Sequence, residues 1–279
     1  MKLSVVIPVH NQIDLAKTCY KKILDNFRSD AEFIILDNGS DLPIQQKDFP
    51  FAKIIRNEQN IGVYPTFKQG FEVSTGDIVC FLHSDMVIWE GGWDNRVLTA
   101  FEKFSPGLIG FIGSNEIGAD GGRGLGTASN FQGKEIGKWK GSSWRQHGRH
   151  IEAYMDGAVV DGCVMIISRF AWNTIGYRKD FPPHHFYDRL ISTQMLENRF
   201  KVGILGIECD HISGQTVNQE DGYQHMAYDW LQKHYGRINY TPYLNLDTKM
   251  NYDGDIYNIA EHQWLTEYRD KKHLIPIVV

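Results

Sequence analysis

Asp85 closes the run Asp77-Ile78-Val79-Cys80-Phe81-Leu82-His83-Ser84-Asp85, in which a buried strand ends and a carboxylate follows within three residues. An acid at the carboxyl end of such a strand can hold a divalent cation, and a cation there can neutralise a diphosphate. Hard cations of the Mg or Mn type take oxygen ligands and usually keep substrate phosphates among them. A second group lies in a basic stretch, where Lys134, Lys138, Lys140, Arg145 and Arg149 surround Trp139 and Trp144. Aromatic faces stack on sugar rings and cations attract phosphates, so this stretch suits a lid over a bound ligand. It suits a solvated surface loop equally well. Asp161-Gly162 reads as a tight bend.

The elements that must carry these groups alternate between strand and helix. Leu3–Val9 is a short β-branched run, as a buried strand should be, and apolar residues at Leu15, Cys19, Ile23 and Leu24 have helical spacing over 14–27. Phe33–Leu36 is a second strand closed by the turn-forming Asp37-Asn38-Gly39-Ser40. Lys53–Ile55 is a short third strand, Thr66–Ser74 a helix and Asp77–Leu82 a fourth strand. Strands separated by helices predict a mostly parallel α/β sheet covered on both faces, with ligands at the carboxyl ends of the strands. That places Pro8–Asn11, Asp37–Ser40 and His83–Asp85 on one rim.

Farther on, Leu108–Ile112 and Val159–Ser168 read as strands, 118–150 as a long loop, and Arg189–Arg199 as a helix. Lys201–Ile207 reads as a strand running into Glu208-Cys209-Asp210-His211, with helical stretches near 221–235 and 258–270. There is no internal repeat.

The 279 residues are 42% hydrophobic and 23% charged, ordinary for a globular chain that buries a sizeable core. The formal charge of -5 gives no global drive toward nucleic acid. Mean hydropathy is -0.36, and no apolar run approaches the roughly 18 residues of a spanning helix. The N-terminal apolar stretch is too short for a signal-peptide core, so a cytoplasmic protein is expected, with peripheral contact to the inner face of a membrane left open. Cys19, Cys80, Cys163 and Cys209 form no CxxC pair and read as reduced, buried thiols.

Taken in order, several segments share one pattern. They are Ser4–Asn11, Ile35–Ser40, Asn60-x-Gly62, Gly70, Gly76-Asp77 and the Leu82–Asp85 strand end, followed by Val160–Met165, His185-Phe186-Tyr187-Asp188 and His211-Ile212-Ser213-Gly214. Over residues 3–216 the chain resembles the family 2 glycosyltransferases of the GT-A fold, and its late pattern is similar to the subgroup containing rhamnosyltransferases. The resemblance implies a Rossmann-like catalytic domain over 1–216 and a C-terminal helical extension over 217–279. It implies metal-dependent, inverting transfer from a nucleoside-diphosphate sugar, UDP- or dTDP-linked, to a hydroxyl of a glycan or surface-polysaccharide acceptor.

Carried over residue by residue, it assigns Pro8, Val9, His10, Asn11, Asp37, Asn60, Gly62, Lys68, His83, Ser84 and Asp85 to the nucleotide-sugar pocket. Asp85 and His211 would hold Mn or Mg, an imidazole suiting Mn somewhat better. Asp188 would be the base that takes the proton of the attacking hydroxyl. Asp161, Gly162, Trp139 and Trp144 would face the acceptor. Two departures stand out: His83 occupies the place of the first acid in the family's Asp-x-Asp motif, and Leu190 stands where a further acid is common after Asp188.

Plainer readings run beside these. Asp37 also suits a turn, His83 a buried imidazole, His211 a structural histidine and Asp188 the N-cap of the following helix. Gly122-x-Gly124-x-Gly126 lacks the third glycine and the flanking strand of a dinucleotide fingerprint. Three other functions fit less well. A nucleotidyltransferase would want a Gly-rich loop after the first strand, a non-catalytic sugar-nucleotide module would be indifferent to Asp188, and a transferase acting on modified nucleic-acid bases sits poorly with the overall acidity.

Overall fold

Strand β1 (Leu3–Val9) runs through the middle of an eight-stranded sheet. The structure is a computed structural model and describes residues 1–115, 117, 127–142, 148–212, 222–235, 250–252 and 255–257. After β1 come α1 (Ile13–Asn26), β2 (Ala31–Asn38), β3 (Ala52–Asn57), α2 (Val63–Val73), β4 (Ile78–Leu82), β5 (Met86–Ile88) and α3 (Trp93–Phe104). Then follow β6 (Leu108–Gly110), β7 (Ile112–Ser114) and the two-residue strands β8 (Ala128–Ser129), β9 (Glu135–Ile136), β10 (Trp139–Lys140) and β11 (Arg149–His150). The chain continues through β12 (Tyr154–Gly157), β13 (Val159–Val160), β14 (Val164–Ser168), α4 (Arg169–Ile175) and α5 (Tyr187–Glu197). It goes on to β15 (Val202–Leu205), β16 (Cys209–His211), α6 (Tyr223–Tyr235), β17 (Met250–Tyr252) and β18 (Asp255–Tyr257).

The central sheet has the order β12-β15-β6-β14-β4-β1-β2-β3. β1 pairs in parallel with β2 and β4, as do β2 with β3 and β15 with β6. β14 is antiparallel to β4 and β6, and β12 to β15, so six strands share one direction and the expected mostly parallel α/β sheet is borne out. Its two faces follow from the period of two along each strand. Val5, Ile7, Ile35, Cys80 and Leu82 join α1 and α3 in one apolar cluster, whereas Val6, Ile34, Leu36, Val79 and Phe81 meet α2, α4 and α5 in another. All four cysteines are free and buried, and burial with the nearby Asp85 charge pushes the Cys19 thiol up to about 12.

Several boundaries differ from the sequence reading. The expected strand over 108–112 breaks at Phe111, where the chain leaves the central sheet for a smaller one in the order β11-β8-β7-β13. The expected strand over 159–168 is interrupted by the turn at Asp161–Cys163. The basic loop carries four short strands in its described parts. The stretch near 221–235 forms α6, the expected helix near 258–270 lies outside the described residues, and β17 pairs antiparallel with β18 where the sequence shows no strand signal.

Candidate active site

The carboxyl end of β4 supplies the first part of the site. The Met86 N–H donates to His83 O at 3.1 Å, closing a turn with Ser84 and Asp85 at its centre, and β5 leaves from it. β5 pairs antiparallel with β16 so that Met86 faces His211, and the Ile212 N–H donates to Asp85 O at 3.0 Å. This register brings His211 Nε2 to 3.1 Å from Asp85 Oδ1. His83 completes the group: the ligand atoms of His83, Asp85 and His211 all lie within 4.8 Å of one another. Two imidazoles and a carboxylate are donors a divalent cation accepts, so the residues fit the metal that the resemblance implies. Burial opposes ionisation of Asp85, but His211 and His83 outweigh it and hold the carboxyl below its ordinary value. Burial also opposes the charged form of His83 and holds its imidazole below the ordinary value, against the pull of Asp85.

The turn between β13 and β14 meets this group from the side. The His83 N–H donates to Cys163 O at 2.9 Å, and Asp161 Oδ1 accepts from the Cys163 N–H at 2.9 Å. Gly162 leaves space that Tyr187 fills: a Cβ there would lie 2.5 Å from the Tyr187 hydroxyl. That hydroxyl sits 2.8 Å from His83 Nε2. The Gly162 N–H reaches Asp188 Oδ2 at 3.3 Å, and Asp188 Oδ1 accepts from Arg189 through its backbone at 2.9 Å and its guanidinium at 3.1 Å. Asp188 is not the N-cap of its helix. The helix begins one residue earlier, with Phe186 at the cap position, and Asp188 stands in the first turn. His185 and Phe186 approach it with φ of 60° and 51°, a strained pair of left-handed residues of the kind that clusters at functional sites.

The ends of β1 and β2 form the other side of the rim. His10 Nδ1 lies 3.1 Å from Asn38 O, which fixes the proton on that nitrogen because the partner is a carbonyl. The Asn11 N–H donates to Ser40 Oγ, and Asn11 Oδ1 accepts from the Asp41 N–H. The Asp37 carboxylate is buried and accepts from the Ser40 and Ile44 N–H groups and from the Arg56 guanidinium. Burial opposes its ionisation, yet these bonds prevail and hold the carboxyl below its ordinary value. Asp37 therefore staples the turn that it opens.

Asn38, which sequence reasoning placed on the rim as part of the Asp37–Ser40 turn without a role of its own, ties the rim together. Its side chain donates to Asn60 Oδ1 and Gly62 O and accepts from Asn57 and the Ile61 N–H. Asn60 in turn accepts from the Gly62 N–H at 2.9 Å. Gly62 has φ 90°, and a Cβ on it would lie 2.4 Å from Pro183, on the segment leading to Tyr187.

Two expected site residues stand apart from these bonds. Lys68 pairs with Glu72 one turn along α2. Trp139 packs on the apolar cluster of Leu15, Cys19, Val87 and Ile212, with the Lys138 ammonium 5.0 Å from its ring centre. Trp144 lies outside the described residues, as do Ser213 and Gly214. Sequence reasoning also missed Asp210. This buried carboxylate accepts from Trp89 Nε1 and from the Gln132, Gly133 and Lys134 N–H groups, and so anchors the Trp139 hairpin beside His211. Its only sequence signal is adjacency to His211.

Comparison with known proteins bears on the fold and the family. Among solved structures, GalNAc-T7 with UDP, GalNAc and Mn2+ superposes with a TM-score of 0.61 at 15% identity, over 84% of this chain and 48% of that one. The mannosyltransferase PcManGT from Pyrobaculum calidifontis, in complex with GDP-Man and Mn2+, gives 0.51 at 11% identity, over 77% and 58%. At such identities the likeness shows the fold, and it is the GT-A fold.

Among curated relatives, the uncharacterized glycosyltransferase YibD of Escherichia coli (strain K12) is 27% identical over 107 residues, 36% of this chain and 31% of that protein. The uncharacterized glycosyltransferase alr2836 of Nostoc sp. (strain PCC 7120) is 32% identical over 108 residues, 37% and 33% of the two chains. The matches thus span about a third of the curated relatives' length. Residues 4–176, more than half of the chain, match the model of glycosyl transferase family 2, and the chain belongs to that family.

Proposed function

We propose that the chain moves a sugar from a nucleoside-diphosphate sugar, UDP- or dTDP-linked, onto a hydroxyl of a glycan or surface-polysaccharide acceptor with inversion at the anomeric carbon. The observation that carries this reading is the meeting of Asp85 and His211 at 3.1 Å on the strand-end rim, with Asp188 following Tyr187, whose hydroxyl touches His83. The UDP, GalNAc and Mn2+ named for one solved structure, and the GDP-Man and Mn2+ named for the other, support a cation-dependent nucleotide-sugar site.

Asp85 and His211 would hold a divalent cation, Mn or Mg. When bound, that cation supplies electrostatic and Lewis-acid stabilisation of the negative charge that develops on the leaving diphosphate. His10, Asn11 and the Asn38–Asn60–Gly62 network line the nucleotide side, and Asp37 shapes that wall through its turn. Asp188 Oδ1 and Oδ2 are each oriented by N–H donors and keep lone pairs for a further bond. The acceptor oxygen attacks the anomeric carbon, the bond from that carbon to the diphosphate oxygen breaks, and Asp188 takes the hydroxyl proton. Asp161, Gly162 and Trp139 serve the acceptor side in this reading. Residues 1–216 form the catalytic unit and 217–279 an extension of it. Among the described residues, no helix is long and apolar enough to cross a membrane.

The test is to mix the chain with UDP-, dTDP- and GDP-sugars and Mn, and to follow nucleoside-diphosphate release by chromatography with and without oligosaccharide acceptors. Release that depends on Mn and is lost in Asp85→Ala is expected. Release of no diphosphate from any donor would overturn the reading.

A further inference from the structure

We infer that His83 is a third ligand to the cation, which makes the site a two-histidine, one-carboxylate centre that prefers transition metals to Mg. This rests on the cation-dependent reading above and deepens it, because the family pattern has an acid where His83 stands. Three observations carry it. The ligand atoms of His83, Asp85 and His211 lie within 4.8 Å of one another, close enough for one ion to draw them together. The two imidazole rings lie close together, with centres 5.5 Å apart and planes tilted by 57°. The His83 ring also has the outer contact that orients ligating histidines: Nε2 lies 2.8 Å from the Tyr187 hydroxyl, and in our proposal the other ring nitrogen, Nδ1, is the ligand.

Tyr187 is then a positioning residue. Its hydroxyl, 2.8 Å from Nε2, accepts a hydrogen bond from Nε2–H when Nδ1 is the ligating nitrogen. Gly162 makes room for the ring, and the residue after Tyr187 is Asp188, so the cation site and the base share one rigid support.

The chemical consequence is selectivity. Replacing a carboxylate by an imidazole lowers the charge of the donor set and suits borderline metals, whose affinities rise from Mn to Co. Mg, which favours oxygen donors and gives up water reluctantly, should bind least well.

Isothermal titration of the full chain with Mg, Mn and Co, without nucleotide, tests this. Wild type should bind Co more tightly than Mn, and Mn at least about tenfold more tightly than Mg. His83→Asp should narrow the Mn-to-Mg ratio by about tenfold, and Tyr187→Phe should weaken Mn by roughly 10-fold or more. Pulsed electron paramagnetic resonance on Mn-loaded wild type reads the ligands without any variant having to fold, and nitrogen modulation from two imidazoles is expected.

Nitrogen coupling from a single imidazole, with His83→Asp leaving the Mn-to-Mg ratio unchanged, would overturn the role of His83 and leave the Asp85–His211 pair standing. No Mn or Co binding by wild type at millimolar concentration would overturn both.

Discussion

Gly162 and Tyr187 occupy one space: a Cβ on the glycine would fall 2.5 Å from the phenol oxygen and 2.8 Å from Cζ. Because the same phenol touches His83 and precedes Asp188, one substitution at position 162 should disturb both sides of the site. Gly162→Ala forces a buried, rigid ring to shift, and overpacking of this kind costs about 1–3 kcal/mol. Urea unfolding should show that loss, and diphosphate release should fall with it. Wild-type stability in Gly162→Ala would mean that the ring moves aside freely.

Asp188→Asn keeps the shape and the acceptor oxygen but removes the proton acceptor. Turnover should fall by roughly 10²- to 10⁴-fold, the usual contribution of general base catalysis, while donor binding stays within a few-fold. Steady-state kinetics with a matched binding titration separates the two effects. Unchanged turnover would remove Asp188 from the role of base.

The Asp37–Arg56 pair gives a pH-dependent prediction. Burial opposes ionisation of Asp37, and its hydrogen bonds to Ser40, Ile44 and Arg56 more than offset that, so its folded value lies below the ordinary one. A depressed carboxyl contributes stability that is fully present above its unfolded value, about 4, and is lost as pH falls through the folded value. Arg56→Ala should therefore cost about 1.5–3 kcal/mol near neutral pH, as a charged hydrogen bond does. The gap to wild type should shrink as the medium is acidified below about pH 4. Denaturant melts over that range read it directly, and a gap that stays constant would place the effect outside the pair.

Much of this site is legible in the sequence because its residues follow strands. Asp85 and the Pro8–Asn11 rim are reached by reading apolar runs and asking what stands at their ends. The pairing of Asp85 with His211 is not legible by that route. It depends on β5 and β16, three-residue strands whose ladder joins positions more than a hundred residues apart. A two- or three-residue strand has too few side chains to display a period, which is also why β8 to β11 escape notice within the basic loop. The N-cap reading of Asp188 fails for a related reason: Phe186 at the cap holds a left-handed conformation imposed by its surroundings, against its own preference. Asp210 hides because one buried carboxylate binding backbone N–H groups leaves no pattern in the chain.

Thermal melts of wild type and Asp85→Ala with UDP, dTDP, GDP and CMP, each with and without Mn, test the cation-dependent donor site most directly. A ligand at ~100 times its dissociation constant adds about 2.7 kcal/mol to folding stability, a shift of several degrees. One nucleoside diphosphate should raise the melting temperature of wild type only when Mn is present, and Asp85→Ala should lose that rise. No rise with any nucleotide at millimolar concentration, or an equal rise in Asp85→Ala, would contradict a cation-bridged diphosphate at this rim.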